Sequence, residues 1–114
     1  MKTKVSRTFY FDAAHAIKNA EDSKCEELHG HTYRLDVEVS GPLKNGMVID
    51  FNNIKGVVQR EILPELDHKN LGKIIENPTA ENIAVWILNR LKPCFNVSKV
   101  RVWEGRGKFA EVEP

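Results

Sequence analysis

Three histidines in this sequence occupy positions from which their imidazoles could share one metal ion. His29 and His31 are separated by a single glycine. Residues two apart on a β-strand point to the same face with α-carbons about 6.5 Å apart, so both rings can reach an ion at the roughly 2.0 to 2.1 Å of a zinc–nitrogen bond. His15 has the same odd parity in an earlier alternating segment. If the two segments pair as a hairpin, three imidazoles face one site.

The number of these histidines matters more than any one of them. A single histidine on an apolar face is more often a hydrogen-bonded core residue than a ligand, but three on adjoining inward faces favour a metal site. Imidazole ligands favour zinc, and ligand type alone is also compatible with copper, nickel or iron. Three neutral imidazoles leave a fourth position open for water or a substrate oxygen.

Cys25 lies four residues before His29 and has two interpretations. As a fourth ligand, its thiolate would close the centre into a purely structural site. As a base or nucleophile beside an open centre, it would react as the thiolate that the charge of the metal favours. The residues themselves leave both interpretations open.

Two further polar positions could belong to a site. Asp67 and His68 lie between the predicted helices and, taken alone, are typical of a solvated loop. Glu104 shares the parity of the apolar Val100 and Val102 and so faces inward at a strand end. Because an unpaired buried carboxylate is costly, Glu104 either faces solvent at a frayed end or binds a ligand with matched donors. A fused ring with an amino group beside a ring N–H would match both of its oxygens.

The strands that would position these residues are read from hydrophobic alternation. Residues 9–15 and 29–39 alternate apolar and polar side chains, which predicts two antiparallel strands with one wet face. Gly41 and Pro42 end the second strand. Alternation returns at residues 99–104, and a turn at residues 105–107 leads to a short strand at residues 108–112.

The middle of the chain has helical spacing. One helix follows an Asp50 N-cap and stops at Pro64, with an apolar stripe of Phe51, Ile54, Val57, Val58 and Ile62. A second helix starts at Asn77-Pro78-Thr79 and ends before Pro93, with a stripe of Ala80, Ile83, Ala84, Ile87, Leu88 and Leu91. The order strand-strand-helix-helix-strand-strand predicts an α+β fold, with both helices on one face of a four-stranded antiparallel sheet.

Composition limits the class of protein. The 114 residues predict one domain, spanning residues 1–114. With 17 basic and 16 acidic residues there is no general electrostatic reason to bind nucleic acid or an anionic membrane. No apolar run approaches the roughly 20 residues of a spanning helix, and residues 1–7 do not resemble a secretory signal. We therefore expect a cytoplasmic protein with Cys25 and Cys94 as free thiols.

Together the motifs carry a family resemblance that covers nearly the whole chain. They are Phe11-Asp12-Ala13-Ala14-His15, Cys25 with His29-Gly30-His31, Gly46-Met47-Val48-Ile49-Asp50-Phe51, Leu66-Asp67-His68, Pro78-Thr79-Ala80-Glu81-Asn82 and Glu104. The sequence resembles the 6-pyruvoyl-tetrahydropterin synthase family, and within it most resembles the 6-carboxy-tetrahydropterin synthases of deazapurine (queuosine) synthesis. The turn Gly105-Arg106-Gly107 matches no family motif, so no side chain is assigned to phosphate.

The resemblance implies specific roles for the candidate residues. It implies zinc on His15, His29 and His31, and a catalytic Cys25 assisted by Asp67 and His68 from a neighbouring subunit. It also implies Glu104 as the pterin anchor, near the main chain of Thr79 and Ala80. The implied assembly is a homo-hexamer of two trimers, in which sheets of this tunnelling fold close into a barrel.

The resemblance further implies the substrate 7,8-dihydroneopterin triphosphate, converted to 6-carboxy-tetrahydropterin with release of acetaldehyde and triphosphate. Three residues separate Cys25 from His29, and this spacing matters because it sets how far the thiol reaches along the substrate. The resemblance implies that the short spacer belongs to this branch rather than to the pyruvoyl-forming reaction. Two alternatives remain: 6-pyruvoyl-tetrahydropterin synthase, and a zinc-stabilised binding module without turnover.

Overall fold

Two long strands form the base of the fold. In the computed structural model, which describes residues 1–114, β1 (Thr3–His15) pairs antiparallel with β2 (His29–Gly41). The register runs without a break from Thr3↔Gly41 to His15↔His29. β1 begins at Thr3 rather than at residue 9 as predicted. The backbone ladder continues through residues 3–8, where exposed and partly buried side chains alternate but only Val5 is apolar, so the hydrophobic pattern does not reveal this half of the strand.

The first helical region consists of α1 (Phe51–Glu61) and a single turn, α2 (Leu63–Leu66). Asp50 caps α1, its carboxylate accepting from Asn52 N at 2.7 Å. Pro64 stops α1 as predicted and occupies the first turn of α2, where its missing N–H costs nothing. Phe51 was expected in the core but is 51% exposed, since it stands at the end of the helix with few neighbours around it.

The second helical region is α3 (Ala80–Leu91), which begins where it was predicted to begin. Thr79 caps it, with Oγ1 accepting from Asn82 N at 3.1 Å. Two short 3₁₀ turns, Ser23–Glu26 and Leu71–Lys73, lie in the connections. None of the helices has the length and apolarity needed to cross a bilayer.

The sheet is completed by β3 (Val97–Glu104) and β4 (Phe109–Val112), in the order β1-β2-β3-β4. β3 begins two residues earlier than predicted and β4 one residue later. A register shift between Glu38 and Val39 lies opposite the first three residues of β3. The predicted four-stranded antiparallel sheet and its element order are confirmed.

A single core lies between the sheet and the helices. It contains 22 buried hydrophobic residues. They come from the odd-numbered positions of β1 and β2, from β3, from the apolar stripes of α1 and α3, and from Leu66, Leu71 and Ile75 between those helices. Two buried residues lie outside this apolar set: Pro78, and His15 with 1% of its surface exposed. The core therefore ends at the edge where the histidines begin.

Candidate metal centre

The three predicted ligands meet on the inward face of the sheet. The register places His15 opposite His29, and His31 follows two positions along β2. Their ring centroids are 4.6 Å apart for His15 and His29 and 4.9 Å apart for the other two pairs. The ligand atoms of all three lie within 4.8 Å of one another. The imidazoles are therefore close enough to bind one ion.

Backbone carbonyls fix the orientation of two of the rings. His15 Nδ1 lies 2.7 Å from the Pro78 carbonyl oxygen, and His29 Nδ1 lies 2.7 Å from that of Glu27. Since a carbonyl only accepts, each Nδ1 carries the hydrogen and each Nε2 keeps a lone pair. Metal-binding histidines are usually held in this way by a second partner.

Burial favours the neutral form of two of the imidazoles, those of His15 and His31. It lowers the pKa of His15, an effect that the hydrogen bond to Pro78 and the nearby Glu104 only partly offset. Burial likewise lowers the pKa of His31. His15 Nε2 is 3.4 Å from Glu104 Oε1, so a neutral nitrogen lone pair faces a carboxylate oxygen. A bound cation would satisfy both atoms, and the three nitrogen donors fit the ligand set of an open zinc site.

Glu104 connects this centre to a cavity. It pairs with Tyr33 across β2 and β3, and its side chain is 20% exposed. It lines a cavity of about 370 Å³ together with Ala80 at the start of α3. Thr79, the cap of α3, precedes Ala80, and the carbonyl of Pro78 binds His15. The segment 78–80 therefore connects the histidines with the cavity.

Cys25 does not join the ligand cluster. It lies in the 3₁₀ turn Ser23–Glu26 and is partly exposed, and its carbonyl accepts from Ile17 N at 2.7 Å. The cluster contains only the three imidazoles. The interpretation of a closed centre with Cys25 as the fourth ligand therefore has no support in this geometry.

Asp67 and His68 form a defined pair at the outer edge of β1. Asp67 Oδ1 accepts from Asp12 N at 3.1 Å and lies 3.0 Å from His68 Nδ1. His68 has a φ of +60°, and its N–H donates to the Asp12 carbonyl at 2.6 Å. Its side chain is 78% exposed and lines an open cavity that His31 also borders. Neither Asp67 nor His68 belongs to the histidine cluster of its own chain.

Two residues beside the centre were missed by sequence reasoning. Tyr33 is fully buried, with its ring 5.6 Å from that of His31, and its hydroxyl has no hydrogen-bond partner. Lys108 Nζ lies 3.8 Å from Glu104 Oε2. The parity of β2 places Tyr33 but does not predict an unpaired hydroxyl. The pairing of Lys108 with Glu104 could have been found, because the two residues flank the Gly105–Gly107 turn.

A four-stranded antiparallel sheet with helices on one face, three histidines at its end and an inward carboxylate defines the class of this protein. The family model for 6-pyruvoyl tetrahydropterin synthase matches residues 4–114. The chain belongs to this family, as the motifs predicted.

Similar proteins carry more than one named activity. The chain is 44% identical over 117 residues to the dihydroneopterin monophosphate aldolase of Pyrococcus furiosus, and the match covers 99% of both chains. It is 36% identical over 139 residues to the 6-carboxy-5,6,7,8-tetrahydropterin synthase of Haemophilus influenzae, with 96% of this chain and 98% of the other covered. The structure of 6-pyruvoyl tetrahydropterin synthase from Caenorhabditis elegans matches with a TM-score of 0.87 and 25% identity, over 100% of this chain and 96% of the other.

Proposed function

We propose that this protein is a zinc-dependent lyase that cleaves the carbon side chain of a phosphorylated 7,8-dihydroneopterin. One observation carries this proposal: three imidazoles lie close enough together to bind one metal ion, and the Glu104 carboxylate is 3.4 Å from His15 Nε2. A centre that only stabilised the fold would need a fourth protein ligand, and Cys25 lies outside the cluster. Family membership over residues 4–114 supports a pterin as the ligand.

Glu104 would anchor the pterin ring. Its two oxygens would accept from the 2-amino group and the neighbouring ring N–H. The main chain of Thr79 and Ala80 would flank the ring, since Ala80 lines the same cavity as Glu104. This arrangement would direct the substrate side chain toward His15 and its two partners. When bound, zinc supplies Lewis acidity toward the hydroxyl oxygens of that side chain.

Cys25 and the Asp67–His68 pair would move the protons. Asp67 holds His68 Nδ1 at 3.0 Å, which leaves Nε2 for exchange with substrate. In a retro-aldol cleavage, these groups accept the hydroxyl proton of the second side-chain carbon. The bond between the first and second carbons then breaks, and its electron pair remains with the first carbon. That carbon is reprotonated by the same groups.

The first candidate reaction is cleavage of 7,8-dihydroneopterin monophosphate to 6-hydroxymethyl-7,8-dihydropterin and glycolaldehyde phosphate. The match to the Pyrococcus furiosus aldolase supports it, because the alignment of 117 positions is close to the 114 residues of this chain and covers 99% of both chains. The Haemophilus influenzae synthase aligns over 139 residues, more than the 114 of this chain, so it carries segments that this chain lacks.

The second candidate is the 6-carboxy-tetrahydropterin synthase reaction predicted from the sequence. The three-residue spacer between Cys25 and His29 and the synthase names of several relatives favour it. Both candidates break a carbon–carbon bond of the side chain at the same centre. They differ in the phosphate group of the substrate and in the aldehyde released.

The products distinguish the candidates. The zinc-loaded protein is incubated separately with 7,8-dihydroneopterin monophosphate and triphosphate, and pterins and aldehydes are identified by mass spectrometry. Glycolaldehyde phosphate from the monophosphate establishes the first candidate, and acetaldehyde from the triphosphate establishes the second. 6-Pyruvoyl-tetrahydropterin without an aldehyde would contradict both, and absence of any turnover would leave the binding module. Cys94→Ala, at an exposed thiol outside the cluster, serves as the active control.

The same proposal includes a homo-hexamer with active sites between subunits. The position of Asp67 and His68 at the edge of β1, outside the histidine cluster of their own chain, supports their action on a neighbouring site. Two free thiols fit a reducing compartment, and we place the protein in the cytoplasm.

A further inference from the structure

We propose that Lys108 recognises the ring carbonyl of the pterin and so completes the recognition that Glu104 begins. This inference rests on the proposed function, because it assumes that a pterin occupies the cavity beside Glu104. Lys108 would then be the residue that discriminates between a ring with an oxygen at position 4 and a ring with a hydrogen-bond donor at that position.

The β3–β4 hairpin sets the two side chains side by side. Trp103 pairs with Phe109, and Glu104 N donates to the Lys108 carbonyl at 3.2 Å. Glu104 and Lys108 are therefore the next cross-strand pair. Residues opposite each other across an antiparallel ladder share a face with β-carbons about 4.5 to 5.5 Å apart. Lys108 thus points to the same inward face as Glu104.

The turn between them holds this arrangement. Gly105 and Gly107 have φ values of +64° and +80°, which residues with a Cβ rarely adopt. This three-residue turn returns the chain directly, so the backbone of Lys108 lies opposite that of Glu104. Lys108 Nζ lies 3.8 Å from Glu104 Oε2.

Both side chains line the cavity of about 370 Å³ at the start of α3. Glu104 is 20% exposed and Lys108 66% exposed, so the ammonium remains free to turn toward a bound ring. An exposed ion pair of this type contributes little to the stability of the fold, because solvent screens it. The pair therefore has little value for stability and is better explained by a ligand.

The chemistry of the pterin edge matches the pair. This edge presents two donors, the 2-amino group and the ring N–H, followed by one acceptor, the 4-oxo oxygen. A carboxylate offers acceptors only, and an ammonium offers donors only. Glu104 can therefore satisfy the two donors and no more. Lys108 supplies the donor that the carbonyl requires, next to the carboxylate.

The test uses two unphosphorylated ligands, pterin and 2,4-diaminopteridine, in which an amino donor replaces the 4-oxo acceptor and the neighbouring ring nitrogen carries no hydrogen. Because the two ligands also differ in their contact with Glu104, each is compared between wild type and variant. Binding to the full chain is followed by ligand fluorescence for wild type and Lys108→Met. A hydrogen bond to a charged group is worth about 1.5 to 3 kcal/mol, so we expect Lys108→Met to bind pterin at least tenfold more weakly. Binding of 2,4-diaminopteridine should stay the same or tighten.

Two further variants sharpen the result. Lys108→Gln keeps a donor and should retain part of the preference for the 4-oxo ring. Lys4→Met removes a lysine that pairs with Glu38 at 3.8 Å, neither of which lines this cavity, and should bind both ligands as wild type does. An equal loss for both ligands, or no loss for pterin, would overturn the role of Lys108. If wild type bound neither ligand, the pterin site and with it the proposed function would fail.

Discussion

At the residue scale, two backbone carbonyl oxygens hold imidazole rings in an orientation suited to metal binding. Those of Pro78 and Glu27 lie 2.7 Å from the Nδ1 atoms of His15 and His29, so neither ring must rotate or change tautomer when an ion binds. Neither carbonyl belongs to a motif with chemistry of its own. They act on the rings only because the backbone places them beside the strand ends that carry the histidines.

Removal of one imidazole tests the ligand set. His29→Ala leaves two nitrogen ligands, and we expect bound zinc to fall well below one equivalent per chain, measured by elemental analysis of the purified protein. His68→Ala is the matched control, because His68 lies outside the cluster and should leave the zinc content unchanged. A full equivalent of zinc in His29→Ala would show that the ligand assignment is wrong.

Cys25 tests whether catalysis and metal binding are separate. Cys25→Ala should retain zinc, since the ligand cluster does not include Cys25. It should lose at least 100-fold in turnover, as general acid–base groups contribute about 10² to 10⁴. Zinc content and product formation are measured on the same sample. Loss of zinc would instead return Cys25 to the ligand set and support the closed structural centre.

At the scale of elements, one carboxylate ties three strands together on the face of the sheet away from the helices. Asp36 of β2 accepts from Thr8 Oγ1 of β1 at 2.6 Å and from Trp103 Nε1 of β3 at 2.9 Å. Arg34 Nε also donates to it, at 3.0 Å. These bonds join strands whose other face carries the histidines. A polar face can thus help to hold the register on which the centre depends.

Because the pKa of Asp36 is shifted in the fold, the stability that this cluster contributes depends on pH. Burial alone would raise the pKa, but the hydrogen bonds from Thr8, Trp103 and Arg34 outweigh it and hold the pKa below its usual value. The ionised carboxylate therefore stabilises the fold above the unfolded pKa of about 3.9. This contribution is lost as the pH falls through the lower, folded-state pKa.

Asp36→Asn should lower the free energy of unfolding at pH 7 by about 1 to 3 kcal/mol, because the charged acceptor is lost. The difference from wild type should shrink at acid pH, where Asp36 is itself protonated. Urea denaturation at both pH values measures this. Glu113→Gln, at an exposed carboxylate, is the control and should match wild type. An equal difference at both pH values would contradict the role of the ionised carboxylate.

At the scale of the whole molecule, the protomer is long and its sheet has open edges. Its radius of gyration is 14.8 Å, against the roughly 13 Å typical of a chain of this length. β1 has 13 residues and pairs with a strand on one side only, with residues 68–70 bonded to its other edge near Asp12 and Ala14. Open edges of this length favour pairing with another copy.

We therefore expect a hexamer, with a mass by light scattering of six times the 13.0 kDa of the chain. Edge pairing between copies would protect both open edges of the sheet and so favours an oligomer. The number of six subunits is what the resemblance to the family implies. A monomer with full activity at assay concentration would contradict this expectation. Mixed assembly supplies the control: Cys25→Ala and His68→Ala, each inactive alone, should recover part of the activity when refolded together. No recovery would mean that His68 does not serve a neighbouring site.

The sequence by itself determined which face each side chain occupies. Parity along a strand follows from local backbone geometry, so the inward positions of His15, His29 and His31 could be predicted without a structure. The same holds for the caps Asp50 and Thr79, whose side chains bond to amides two or three residues away. Glu104 was also placed correctly by parity.

Only the tertiary structure decided which of these residues meet. The pairing of His15 with His29 depends on the register of two strands, and the bond from Pro78 to His15 joins segments 63 residues apart. The same is true of the attachment of Asp67 to Asp12 and of the buried Tyr33 hydroxyl. Contacts between distant segments are set by the packing of the whole chain, and local preference does not encode them.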